Sequence, residues 1–489
     1  HIGEIEADGV IIYNSEEFEL PSGKNVLGMP VTQLAKSTGN PRAANMVIIG
    51  AIAHLVNMPQ AYLNEFVTKR FTRGRTNDEQ IISSNIEAML LGRETSAKTK
   101  ITLGTLTEAS KSTVKQILVK GNEAISLGAV ASGLNFYVGY PISPATTILV
   151  WMEQNLVAKE KFVYQVSSEI ESITALLGAG FAGRKAMTAT AGPGLSLMSE
   201  GIGLGWMAEI PCVVVDVQRG GPATGLPTKT EQSDLLACFH PAHGDISIPV
   251  IAPGSVEECF YATVSAFNWS ERYQGPVILM NEMSMAERAQ NIPIPDLEKL
   301  QIENRSVYNG SNQYMRYAGD SVSPMPIPGH PGSYIANGSE HDPVGDTTHL
   351  PNRHIEMTQR RFNKLKLLTN GTYESLNQEA PIALMPWGGT KGPGMEAYEL
   401  LTKQDISLGW VYTMFLNPLP ETLLTQLRAK ELVIVPELNF MGQWSSILRS
   451  HGINAISITQ YTGLPFKVQD LAQRILDVMQ SHTKRTVKI

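Results

Sequence analysis

Cysteine is scarce in this chain. Cys212, Cys238 and Cys259 are spread over 489 residues with no CxxC pair, which argues against a disulfide framework and against a cysteine-held iron–sulfur or zinc site within the chain. Long apolar runs are missing too: nothing approaches the roughly 20 residues that a membrane-spanning helix needs. Positive charge is not in excess. A net charge of −7 speaks against a nucleic-acid surface built on bulk positive charge. No Walker-type loop occurs, so phosphate binding by that route is disfavoured. The composition that remains is that of an α/β protein of the cytoplasm, long enough for roughly two to four domains at about 100–200 residues each. Methionine is absent from position 1, and GVIIYN enters with nothing before it to complete a sheet. An N-terminal portion is therefore expected to be missing from this numbering.

What is present falls into blocks. Residues 1–95 carry two short strands (GVIIYN, NVLGMP) and a long apolar helix, AANMVIIGAIAHLV. A Thr/Ser-rich stretch follows, GRETSAKTKITLGTLTEASK, which reads as a linker and is placed at 96–113. Over 114–295, β-rich runs (FYVGYP, KAMTATAGPG, PCVVVDVQRGG, PVILMNEM) alternate with helical segments, the order of a parallel sheet. Residues 296–375 are dense in proline and glycine without a period and form a connecting strap. A second, smaller α/β pattern occupies 376–489 and ends in an amphipathic helix around DLAQRILDVM.

Three stretches carry possible chemistry. In GYPISPATT, Pro141 and Pro144 hold the chain extended where a simple strand-to-helix turn would do. That is the end of the strand where open α/β sheets take ligands. In SSEIESITALLGAGFAGRKAMTATAGPG, a helix from Ser168 to Ala182 would align Ile170, Ile173, Leu176, Leu177 and Phe181, with Glu169 inside that stripe. Glu169 either reaches water from the first helical turn, where the dipole favours it, or is a buried acid bonded to a ligand nitrogen. In VVVDVQRGGPATGLPTKTEQSDL, Arg219 ends a β-branched strand. It is either a carboxylate clamp or a surface arginine paired with Asp216 or Glu231. The glycine-rich turns TATAGPG and GGTKGPG are weak signals taken singly. His240 and His243, three apart in a loop, read as structural, and no metal site is expected.

Taken together in this order and spacing, these motifs resemble the α subunit of 2-oxoacid:ferredoxin oxidoreductases. The RYAGDSVSPMPIPG…GSEHDPVGD strap and ELVIVPELNFMGQ are similar to the same family, as is 1–95 to the later part of the γ domain that many members fuse in front of α. The resemblance implies a thiamine diphosphate pyrimidine-binding parallel-sheet domain, a transketolase C-terminal-like domain and a partial γ domain.

It also implies oxidative decarboxylation of a 2-oxoacid, with electrons leaving singly through a 4Fe–4S cluster to ferredoxin and coenzyme A taking the acyl group. Glu169 would bond the aminopyrimidine, and Tyr140 and Pro141 would pack against the cofactor. Ser143, standing where the family usually has Thr, would bond the substrate's carboxylate together with Arg219. Thr228 would line the side-chain pocket, and Glu437, Asn439 and Gln443 would be structural or interfacial.

The family's diphosphate and Mg²⁺ motif, GDG with a downstream Asn, is absent: GDI, GDS and GDT occur but do not continue as required. By resemblance, that site and the cluster belong to a separate β subunit, in an (αβ)₂ assembly. The fused γ–α chain, the TGLPTKTEQ loop and the EHDPVGD strap look most like the 2-oxoglutarate members. Pyruvate or branched-chain acids, and a non-catalytic scaffold subunit, are the alternatives.

Overall fold

A computed structural model of the chain describes residue 5 and residues 9–20, 25–106, 113–311, 314–332 and 334–486. The chain divides into two compact units, 1–113 and 114–489. Residues 107–112 of the expected linker lie outside the described residues, as do most of the first eight.

In the first unit the parallel pair Ile11–Asn14 and Val26–Met29 is followed by helices Val31–Ser37, Ala44–Leu55, Gln60–Phe71 and Asp78–Ala97. The last of these runs through Gly92–Ala97, so the start of the Thr/Ser-rich stretch is helical rather than linker. The reason is packing. A Cβ at Gly92 would overlap the Val47 carbonyl oxygen, and one at Gly50 would overlap that of Met89. Two glycines thus let helices Ala44–Leu55 and Asp78–Ala97 meet backbone to backbone. Gly50→Ala should force them apart and cost stability at the upper end of the about 1–3 kcal/mol typical of overpacking. The urea midpoint of the purified chain checks this, and an unchanged midpoint would refute the contact.

The second unit is built on a seven-stranded sheet in the order Phe415–Asn417, Val250–Ile251, Pro276–Glu282, Cys212–Gln218, Ala186–Thr190, Phe136–Gly139, Phe162–Gln165. All neighbours are parallel except Phe415–Asn417, which adds antiparallel to Val250–Ile251. Strands Pro276–Glu282 and Cys212–Gln218 are buried at every position, as the apolar run CVVV requires of a strand covered on both faces. Pairing of Thr190 with Asp216 and of Gln218 with Glu282 brings the carboxyl ends of these strands to one edge. A five-stranded sheet (Glu374–Leu376, Gly409–Tyr412, Ile382–Leu384, Leu432–Glu437, Ala455–Thr459) and an antiparallel pair, Gln116–Lys120 with Ala289–Pro293, belong to the same unit. The architecture is α/β with parallel-dominated sheets.

The strap is not uniformly irregular. Helix Pro351–Asn363 lies within it and was hidden from a search for apolar periodicity, because the residues it buries are Met357, Arg360 and Arg361. Arg360 and Arg316 reach Glu209, which sits at φ +54° just past helix Gly192–Met207.

Candidate active site

The site assembles at the carboxyl edge of the seven-stranded sheet. Ser168 takes extended backbone angles and its hydroxyl accepts from the Glu171 N–H at 3.2 Å, starting helix Glu169–Phe181. Glu171 turns back to the Ser167 N–H and hydroxyl, bonds that hold its carboxyl below the usual range. Glu169 is only 5 % exposed. The expected stripe holds for Ile173, Leu176 and Leu177, all buried, but Ile170 is 56 % exposed and does not belong to it. The helix turns Ser172 inward instead, one step round from where the spacing pointed.

Opposite Glu169 stands the start of helix Gly192–Met207. A Cβ at Gly194 would collide with Thr190 Oγ1 and lie 2.7 Å from Glu169 Oε1. The AGPG turn is therefore glycine because a buried carboxyl occupies the space a side chain would need.

The GYPISPATT segment is held from two sides. Asn122 Nδ2 donates to the Pro144 carbonyl at 3.0 Å and to Thr147 Oγ1 at 2.8 Å. Arg219 Nη1 donates to the Ser143 carbonyl at 2.7 Å. The structure thus joins two of the expected site residues directly, through the backbone of Ser143 rather than its hydroxyl. Tyr140 and Ser143 are exposed, and Pro141 is half-buried.

Arg219 is no surface residue. It is 8 % exposed, and its Nε has no hydrogen-bond partner among the described residues. With Gly192, Pro193, Ser196, Pro222 and Asp234 it lines a cavity of about 370 Å³. Thr228 is exposed on the following loop and is not part of that lining.

Asp234 went unnoticed in the sequence, where an acid before LLACF reads only as a helix start. Its Oδ2 is buried without a hydrogen-bond partner among the described residues, and both carboxylate oxygens lie 2.7 Å from where a Gly192 Cβ would stand. Burial pushes its carboxyl up to about 6, against the pull of Arg219 and with a push from Glu231. Asp216 is held well above the carboxylate range by burial and by Asp234.

Glu437, Asn439 and Gln443 tie this loop down from the smaller sheet. Gln443 Nε2 donates to the Ser233 carbonyl at 2.7 Å, and Asn439 Nδ2 to that of Gln232 at 3.1 Å. Glu437 accepts from the Trp444 and Ser445 N–H groups.

Comparison with known proteins gives this geometry a family. Residues 127–360 match the family described as "Pyruvate flavodoxin/ferredoxin oxidoreductase, thiamine diP-bdg", and residues 1–95 match "Pyruvate ferredoxin/flavodoxin oxidoreductase". The 2-oxoglutarate synthase subunit KorA of Methanocaldococcus jannaschii is 36 % identical over 333 residues, 68 % of this chain and 90 % of that one. The 2-oxoglutarate oxidoreductase subunit KorA of Mycobacterium tuberculosis is 30 % identical over 97 % of this chain and 78 % of its own. The solved 2-oxoglutarate:ferredoxin oxidoreductase from Magnetococcus marinus, with 2-oxoglutarate, coenzyme A and succinyl-CoA bound, superposes at a TM-score of 0.91 with 36 % identity. That superposition covers 97 % of this chain and 85 % of that one. With the γ-type match in front and the thiamine diphosphate domain behind it, the chain belongs to the α-subunit family of 2-oxoacid:ferredoxin oxidoreductases.

Proposed function

We propose that this chain is the α subunit of a cytoplasmic 2-oxoglutarate:ferredoxin oxidoreductase, which converts 2-oxoglutarate and coenzyme A to succinyl-CoA and carbon dioxide. It acts with a β subunit that holds Mg²⁺, the diphosphate end of the cofactor and a 4Fe–4S cluster, in an (αβ)₂ assembly that reduces ferredoxin. The working divisions are the γ-like 1–95, the linker 96–113, whose first two residues close the helix Asp78–Ala97, the pyrimidine-binding domain 114–295, the strap 296–375 and the transketolase-like 376–489.

The observation that carries the reading is a buried acid facing a glycine cradle, beside a buried arginine with an unused N–H. Glu169 across Gly194 fits a ring nitrogen of thiamine diphosphate, with Tyr140 and Pro141 packing alongside. When bound, that group supplies the electron sink for decarboxylation. Glu169 holds or releases the proton at the ring nitrogen. The Arg219 guanidinium, fixed by the Ser143 carbonyl, binds the substrate's carboxylate with the Ser143 hydroxyl assisting. Thr228 lines the pocket near the substrate's side chain. Coenzyme A enters as co-substrate.

The test is anaerobic viologen reduction by the purified αβ complex with 2-oxoglutarate, pyruvate or 2-oxoisovalerate, each with and without coenzyme A. Coenzyme A-dependent reduction fastest with 2-oxoglutarate is expected. Preference for another acid would overturn the substrate and keep the reaction class. No reduction by a complex that contains both thiamine diphosphate and the cluster would overturn both.

A further inference from the structure

The cavity that Arg219 lines holds a second ionisable group that the proposed chemistry does not use. Asp234 faces the same space, with its Oδ2 unpartnered and its carboxylate pressed against Gly192. Among the described residues no hydrogen bond joins Arg219 to Asp234, although its charge pulls on that carboxyl; Arg219 Nη1 donates to the Ser143 carbonyl and its Nε is left without a partner.

The charged and titratable groups around Asp234 come from several elements. Asp216 stands on strand Cys212–Gln218 and accepts the Cys238 thiol at 3.8 Å from the helix Leu235–Phe239, which begins directly after Asp234. Glu231 acts from the preceding loop and Arg219 from the end of the strand. Helix Gly192–Met207 presents Gly192, Pro193 and Ser196. The Gln218 side-chain oxygen takes the Asp234 backbone N–H at 3.1 Å, which fixes the residue in place. A carboxyl so placed shares a cavity of about 370 Å³ with whatever anion the arginine binds. Two carboxylates that share one site with a single arginine repel each other, which raises the proton affinity of one of them.

We infer that Asp234 is a proton-coupled acid of the substrate pocket: it takes up one proton from solvent as a carboxylate substrate binds Arg219, and returns it when the pocket empties. The inference rests on the reading of Arg219 as the substrate's clamp. The free group is poised for this role, since burial already pushes its carboxyl up to about 6. Binding an anion then costs the removal of one proton's worth of free energy from solvent at each higher pH. The KM for 2-oxoglutarate should therefore rise by about tenfold per pH unit once Asp234 is ionised in the free enzyme.

The experiment measures kcat and KM for 2-oxoglutarate from pH 6 to 8.5 with the αβ complex and saturating coenzyme A, in the wild type, Asp234→Asn, Asp234→Ser and Arg219→Met. The expected result is a wild-type KM that climbs with pH, against a KM in Asp234→Asn that stays near the low-pH wild-type value, with kcat changed much less. Asp234→Ser gives the same readout should the Asn variant fail to fold. Independently of any variant, titration of the wild type with glutarate at pH 7.5, in buffers of differing ionisation enthalpy, should report net proton uptake. A flat wild-type KM, an Asp234→Asn profile parallel to the wild type, or no proton uptake would each overturn the inference. If Arg219→Met leaves KM unchanged, the clamp reading itself fails. If Arg219→Met raises KM while the Asp234 variants follow the wild type, only the role of Asp234 is lost.

Discussion

Glu169→Gln should lower the turnover of the αβ complex by about 10² to 10⁴, the range that a positioned proton-transfer group supplies, with little change in the KM for the 2-oxoacid. The substitution keeps the length of the side chain and one oxygen. The buried space beside Gly194, where Glu169 Oε1 lies 2.7 Å from a would-be Cβ, therefore still fits the side chain. What glutamine lacks is a proton to exchange with a ring nitrogen. Cofactor content and complex size should be preserved, which separates this result from simple misfolding. Gly194→Ala makes the complementary test, since its methyl would intrude on both Thr190 Oγ1 and Glu169 without altering any ionisable group. It should lose activity and thiamine diphosphate content together, because it displaces the carboxyl rather than neutralising it. A Glu169→Gln complex that keeps full turnover would leave the chain as a scaffold beside a partner that carries the chemistry alone.

The sequence made Glu169 legible because a helix start can be read from Ser168 and an apolar period, and a charged group within that period needs an explanation. The same period misplaced Ile170. Burial at the first turn of a helix is decided by the neighbouring helix, which no local pattern encodes. The parallel sheet was readable from alternating β-branched runs and turns. Three of its strands were not, the two-residue Val250–Ile251 being too short to carry a pattern. Phe162–Gln165 has mostly exposed side chains at the sheet's edge, so its residues carry little burial signal. Phe415–Asn417 follows the small-sheet strand Gly409–Tyr412 but pairs with Val250–Ile251 of the large sheet, a long-range choice.

Arg219 could be placed at a strand end from sequence, but its buried state could not. That depends on Asn122 and the doubled proline holding the Ser143 carbonyl where the guanidinium meets it. Asp234 was invisible for a related reason: its neighbour across the cavity, Gly192, lies more than 40 positions away and contributes only an absence of side chain.

Glu209→Gln should destabilise the second unit by about 3–5 kcal/mol at neutral pH, the cost of breaking a buried charge cluster from one side. Glu209 is wholly buried and takes Arg360 at 2.8 and 3.1 Å, Lys364 at 3.1 Å and Arg316 at 3.6 Å. Its own carbonyl accepts from Arg316 Nη2, and that of Ala208 from the Tyr317 hydroxyl. Strap residues thus close the carboxyl end of helix Gly192–Met207, where cations suit the helix dipole. The amino end of that helix carries the Gly192 and Gly194 of the candidate site, so the strap anchors a site-forming element from behind.

Removing that carboxylate leaves the buried guanidiniums of Arg316 and Arg360 without its counter-charge, and Lys364, whose ammonium burial already holds down to about 7, loses the partner that favours its charged form. Burial alone would raise the Glu209 carboxyl, but Lys364, Arg316 and Arg360 hold it down to about 2. A folded-state pKa below that of the unfolded chain gives stability that is present above the ordinary carboxylate range and lost as pH falls through it toward about 2. The gap between wild type and Glu209→Gln in urea midpoint should therefore be widest near pH 7 and narrow on acidification. An equal gap at every pH would mean that lost packing, not lost charge, destabilises the variant. No gap at pH 7 would mean that the strap's cations are compensated by other groups, and that the helix bearing the site does not depend on Glu209 for its anchorage.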